Sequence, residues 1–271
     1  PPENSRSQKP QLSIHKHVVK HIPRPMNKTI FITLFMFSIL AFGQELTDKE
    51  LIGKSIEFLK VNEKDLLVEK VTLKTYQKEK IIIILPIITN RDNECDYCFD
   101  IDNNILIWNK YSKSFDVNYT KKSEWTSDAL YLSSLKIDTA PYFLNKTIRA
   151  FGLRYSYSGS SRVNPYDSEI INLYYLKDNK IIEVLNNFEL ENTTGENNGT
   201  CENASFETSK SILIMNDKFE SKLNDITIKT KIKNYSLDSE CDKEIIKSES
   251  IKSETLIFDE KEKKYVLQHR V

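Results

Sequence analysis

Residues 159–166 read GSSRVNPY and gather side chains that can do chemistry: the hydroxyls of Ser160 and Ser161, the guanidinium of Arg162, and an Asn164-Pro165-Tyr166 corner. As an active site this segment would be a serine hydrolase, in which a base takes the hydroxyl proton and backbone N–H groups hold the oxyanion. The spelling is against that. GSSRV lacks the second glycine of a nucleophile elbow. Three of the four histidines, His15, His17 and His21, precede Met26, and the fourth, His269, stands near the end of the chain. A Ser-x-x-Lys spacing at Ser133 and Lys136 has no Lys-Thr-Gly companion and lies in an alternating, strand-like stretch.

Cys95-Asp96-Tyr97-Cys98 has the spacing of a redox pair. A reactive thiol needs positive charge or a helix N-terminus to lower its pKa. Here Asp92, Glu94, Asp96 and Asp100 crowd it with negative charge, which works the other way. An even number of cysteines in an oxidising compartment reads as disulfides. Of the three pairings open to Cys95, Cys98, Cys201 and Cys241, Cys95–Cys98 with Cys201–Cys241 is favoured. Asp100, Asp102 and Asn104 follow the opening of a calcium loop, but Ile105 stands where glycine is needed and Tyr111 where a bidentate glutamate is needed. Without the leader segment that holds His15, His17 and His21, zinc would have only the terminal His269 to use, and no glycine-rich phosphate loop occurs. No metal, cofactor or catalytic residue is therefore assigned.

What remains is a polar constellation of Asp138, Arg149, Arg154, Arg162, Asn164 and Tyr166. Arginines beside carboxylates either fix loops or clamp anionic ligands. These six are the candidate ligand-binding residues. Paired carboxylates could also do acid–base work without histidine, but among so many acidic residues the sequence singles out no pair.

The elements that must position these groups read as mainly β. Thr47-Asp48 opens a helix over 48–61, with Leu51, Ile52, Ile56 and Leu59 at helical spacing. Strand-like runs follow at 66–75 and 80–89. Residues 98–111 read as two strands joined at Asp102-Asn103-Asn104, and the polar stretch 111–128 as a separator. Further on, Phe151, Leu153, Tyr155 and Tyr157 alternate with polar residues, as do Ile226, Ile228 and Ile232. Such alternation marks antiparallel strands with one dry face. The expectation is an α+β, mainly β chain. A helix plus a small antiparallel sheet occupies 44–120, and an antiparallel β-sandwich or partly closed barrel occupies 121–271.

The N-terminal region reads differently. From Met26 the chain has a positive Lys28, an uncharged run of 11 residues from Ile30 to Leu40, and small residues at Ala41 and Gly43. That is the pattern of a secretory signal cleaved after Gly43. The run is shorter than the roughly 18 apolar residues of a membrane span. Residues 1–25 read as upstream or leader sequence and residues 26–43 as the signal. Residues 1–43 hold six of the 39 Lys/Arg and one of the 39 Asp/Glu, so the remainder is acidic by five charges. An acidic chain has no electrostatic attraction to nucleic acid.

The string IDTAPYFLNKTIRAFGLRYSYSGSSRVNPY, residues 137–166, resembles a family of exported bacterial proteins without assigned activity that share IDTAPY, RAFG and GSSR-x-NPY. Their later Gly-Glu … Cys element is matched by Gly195-Glu196 and Cys201, with Asn197 where the family pattern has an aromatic residue. The resemblance implies export and a bacterial source, and brings no reaction with it. The expected product is a periplasmic or secreted binding or interaction module of the bacterial envelope, leaning away from enzyme. Its partner would be a protein or an anionic ligand. The alternatives are a carboxylate-based hydrolase of envelope polymers and a purely structural envelope protein.

Overall fold

The computed structural model describes residues 46–92, 94–197, 200–201, 204–216 and 222–268. The helix and strands of the described residues belong to one compact unit that begins at Asp48. The signal-like segment, its cleavage point, residues 1–25 and His269 lie outside the described residues.

Helix α1 (Asp48–Leu59) carries Asp48 and Glu50 in its first turn, where negative charge suits the helix dipole, and buries Leu51 and Ser55. It ends at Lys60, whose φ of 55° turns the chain out of the helix. Phe58 packs against Phe115 with its ring tilted, the ring centroids 4.7 Å apart, and so docks the helix on the sheet that follows.

Twelve strands among the described residues run as an antiparallel meander in two sheets. The first sheet holds β1 (Thr72–Tyr76), β2 (Lys80–Thr89), β3 (Phe99–Asn109) and β4 (Ser114–Ser127) in chain order. The second holds β5 (Leu130–Phe143), β6 (Arg149–Gly159), β7 (Tyr166–Lys177), β8 (Lys180–Glu196), β9 (Ser205–Met215), β10 (Ile226–Leu237), β11 (Glu244–Asp259) and β12 (Lys264–Leu267), again in chain order. The fold is thus mainly β, with one α-helix among the described residues, and is sandwich-like. Strand β2 is buried on both faces, which is why IIIILPII does not alternate. Pro86 falls beyond the last β1 partner, Ile84, where its missing N–H breaks no ladder. Asp178 and Asn179, with φ of 50° and 54°, make the two-residue hairpin turn between β7 and β8.

Residues 111–128 are not a separator. Their greater part is β4, and the expected boundary at 120/121 falls inside that strand. Nor do residues 102–104 turn. β3 passes straight through them, because Asn104 donates from Nδ2 to Leu85 O (3.2 Å) and accepts at Oδ1 from Thr120 (2.8 Å), tying three strands together. Strand-like residues 66–70 instead include a single helical turn at Val68–Lys70.

The two sheets share one core. Ile82, Ile105 and Trp125 from the first meet Ile137, Phe151 and Tyr155 from the second. A second cluster, including Tyr142, Leu173, Leu185, Ile228 and Tyr265, lies within the larger sheet. Across the gap between β1 and β5, Lys70 and Lys74 donate to the carbonyls of Ser133 (2.7 Å) and Ile137 (3.1 Å). Edge carbonyls that would otherwise invite another strand are thereby occupied.

Candidate functional site

The expected binding residues divide into two places. Asp138, Arg149 and Arg154 belong to the β5–β6 pair. There the register jumps between Asp138–Gly152 and Tyr142–Ala150, so Thr139, Ala140 and Pro141 form a bulge. Asp138 fastens it. Its Oδ1 accepts from the Ala140 N–H (2.8 Å), and its Oδ2 accepts from Tyr142 OH (2.7 Å) and Arg154 Nε (2.7 Å). Arg154 also donates from Nη1 to Glu169 Oε1 at 2.6 Å. Burial alone would push Asp138 up, but the bonds from Tyr142, Ala140 and Arg154 outweigh it and hold the carboxyl below its usual range. Burial and the bond to Asp138 push the Tyr142 phenol up to about 12. Arg149 sends Nη2 to Thr139 O (2.6 Å), and its guanidinium lies 5.9 Å and 5.8 Å from the ring centroids of Tyr76 and Phe143. Gly152 is required because a Cβ there would stand 2.8 Å from Ile171 Cδ1 and 3.2 Å from Asp138 Cβ. The IDTAPY and RAFG elements therefore spell one bulge, in which Asp138 is held by Arg154 and Arg149 donates to the Thr139 carbonyl.

Arg162, Asn164 and Tyr166 sit at the β6–β7 connection. This loop is clasped by the end of β8. Gly195 N donates to Pro165 O (3.1 Å) and Asn197 N to Val163 O (2.7 Å). A Cβ at Gly195 would come within 2.5 Å of Phe206 Cδ1 and 3.0 Å of Pro165 Cγ, so glycine lets the Phe206 ring lie over the strand. That ring stacks on Tyr235 (5.2 Å between centroids), and Lys233 Nζ stands 4.5 Å from the Tyr235 centroid. Asn197, the departure from the family pattern, contributes its backbone to this clasp. Ser161 Oγ accepts from Asn164 N (3.0 Å), an ordinary turn-forming bond. Arg162 is exposed and has no hydrogen bond or ion pair among the described residues. Beside the loop, Asn164, Glu196, Glu207, Asn234 and Lys247 line an open cleft of about 420 Å³.

No family model, curated protein or solved structure matches this chain.

The cysteines are paired Cys95–Cys98 and Cys201–Cys241, with Cα atoms 5.2 Å and 5.3 Å apart. The second bond joins the β8–β9 connection to the β10–β11 connection, at the same end of the meander as Arg162. The acidic run near Cys95 is spent on structure: Asp100 accepts from Asn90 (3.0 Å) and Thr126 (3.0 Å), and Asp102 from the Ser123 N–H (2.9 Å). Among the described residues no group of three or more metal-ligating side chains gathers.

A carboxylate pair does exist, and no motif in the chain announces it. Glu124 on β4 and Glu183 on β8 both meet the ammonium of Lys121, at 2.7 Å and 3.0 Å. Lys264 Nζ holds the other Glu183 oxygen at 2.9 Å. Asn172 Nδ2 donates to Glu124 Oε1 at 3.0 Å, and Asn186 Oδ1 accepts from Lys121 at 2.8 Å. The Glu124 side chain is 1 % exposed and that of Glu183 9 %. Burial raises the Glu124 pKa, and the Lys121 contacts only partly offset it. Burial, with the Glu183 and Glu124 charges adding, carries Tyr119 up to about 12. Chemically this resembles an acid–base pair, but the pair is enclosed, with the Lys121 ammonium against both carboxyls.

Proposed function

We propose that this chain is a non-enzymatic binding module of the bacterial envelope, exported by the segment that ends at Gly43, and that it makes contact through the loop carrying Arg162. One observation carries this reading. Arg162 is an exposed, unpaired cation among the described residues, on a loop whose backbone is held just beyond it, at Val163 and Pro165, by the N–H groups of Asn197 and Gly195. A fixed loop loses little freedom on binding, so more of the contact energy appears as affinity. Asp138, Arg149 and Arg154 support the frame and do not take part in the contact. Glu196 and Glu207 in the adjoining cleft disfavour a polyanion. The partner that fits is one isolated carboxylate among amides and hydroxyls, as in peptidoglycan fragments.

The hydrolase reading rests on Glu124 and Glu183. At 1 % exposure the Glu124 carboxyl is out of reach of a polymer, so it does not serve as a general acid in this arrangement. The binding reading is tested by thermal shift with soluble peptidoglycan fragments at low ionic strength. We expect a higher Tm for the wild type and no shift for Arg162→Ala. An equal shift in both proteins, or none in either, overturns the proposal.

A further inference from the structure

An antiparallel meander sends alternate connections to the same end. The β5–β6, β7–β8, β9–β10 and β11–β12 connections therefore meet at the end away from the Arg162 loop. There Ile148, Tyr175, Ile182, Leu223 and Phe258 pack against the second core cluster, yet each stays only partly buried. All five line one cleft of about 410 Å³. Lys177 and Lys222 line it too. Both are exposed, and neither has a hydrogen bond or ion pair among the described residues. The third lysine there, Lys263, is already paired with Glu260 at 2.9 Å. Asn145 is shared with a neighbouring cleft of about 690 Å³ whose walls include Pro141, Phe143 and Met215. Phe143 is fixed there: Asn224 Nδ2 donates to its carbonyl at 3.3 Å, and Arg149 lies over its ring.

Contiguous apolar surface in a concavity of this size is the usual form of a small-molecule site. A neutral apolar ligand has no use for the two free ammoniums, and a polyanion has none for the apolar floor. The layout is complementary to a molecule with an apolar body and an anionic head. We propose that this cleft binds an amphipathic anion, with its apolar body on Tyr175, Leu223 and Phe258 and its head on Lys177 and Lys222. The adjoining cleft gives a longer chain room to extend. This site is separate from the Arg162 surface and stands or falls independently of it.

A matched pair of probes tests the proposal on the whole chain. Anilinonaphthalene sulfonate has the apolar body and the anion, and N-phenyl-1-naphthylamine has the same body without the anion. We expect the sulfonate to bind the wild type at one site and laurate to displace it. In Lys177→Ala/Lys222→Ala the sulfonate should bind about tenfold more weakly, as for the loss of two exposed ionic contacts. The neutral amine should change less than about twofold, since it makes neither contact. Arg162→Ala should bind both probes as the wild type does. Leu223→Trp, which fills the cleft, should lose both. Displacement by phosphatidylglycerol vesicles but not by laurate would support the same chemistry with a membrane lipid as its source. Sulfonate binding unaltered by the double lysine substitution, or equal affinity for the two probes in the wild type, overturns the proposal.

Discussion

Two clusters in this molecule are built alike and behave oppositely. In each, one cation stands between two carboxylates: Arg154 between Asp138 and Glu169, and Lys121 between Glu124 and Glu183. Asp138 is held below its usual pKa and Glu124 above it. The difference lies in desolvation and in the number of donors. Asp138 keeps 15 % of its side chain in solvent and accepts bonds from a phenol, a backbone N–H and a guanidinium. Glu124 keeps 1 %, and its Oε2 lies 2.7 Å from an ammonium without a well-directed hydrogen bond. Counting charges does not separate the two sites. Counting donors and water does.

The contrast can be pressed hardest at Lys121. Lys121→Met leaves Glu124 buried with one amide for company and should cost about 3–5 kcal/mol in urea unfolding at neutral pH. Part of that should return on acidification, as Glu124 takes up a proton. Arg154→Leu should cost less, about 2–3 kcal/mol, because water screens its partly exposed partners. A loss at Arg154 equal to or larger than that at Lys121 would remove burial as the explanation.

Gly195→Ala tests the clasp and not the charges. Its Cβ meets Phe206 and Pro165, and overpacking of this kind costs about 1–3 kcal/mol. Gly195→Ala/Phe206→Ala should recover most of the loss, and a double-mutant cycle reads the coupling.

The finest test is the pH dependence, with effects of about 1 kcal/mol. Asp138 has a lowered folded pKa, so its contribution is present above the ordinary carboxylate range and is lost as pH falls through the lowered value. Glu124 has a raised folded pKa, so its ionisation weakens the fold as pH rises from the ordinary range through the raised value. Relative to the wild type, Asp138→Asn should therefore lose more stability as pH rises, while Glu124→Gln should gain. Slopes of the same sign would show that desolvation and donor number do not divide the two clusters.

Much of the strand pattern could be read in advance, because one face of each strand is dry. Ile226 and Ile228 turn inward as their alternation implies. The turn expected at 102–104 failed for a local reason: asparagine favours turns, but here the Asn104 amide links neighbouring strands and holds β3 straight. The polar look of 111–128 hid β4, a strand whose outer face is solvated. At the site, Asp138 and Arg154 stood close enough in the chain for their association to be guessed. Glu124 and Glu183 come from different sheets, and nothing local marks either one. Nothing local marks Lys177 and Lys222 either, and they line one cleft only because alternate turns share an end.

The meander has a kinetic side. Every paired strand in both sheets lies next to its neighbour in the chain, so each pairing closes only a short loop. Folding can spread hairpin by hairpin along the polymer. The sheet-to-sheet contacts of Lys70, Lys74 and Lys121, and the Cys201–Cys241 bond, then act as late seals on an order already laid down locally.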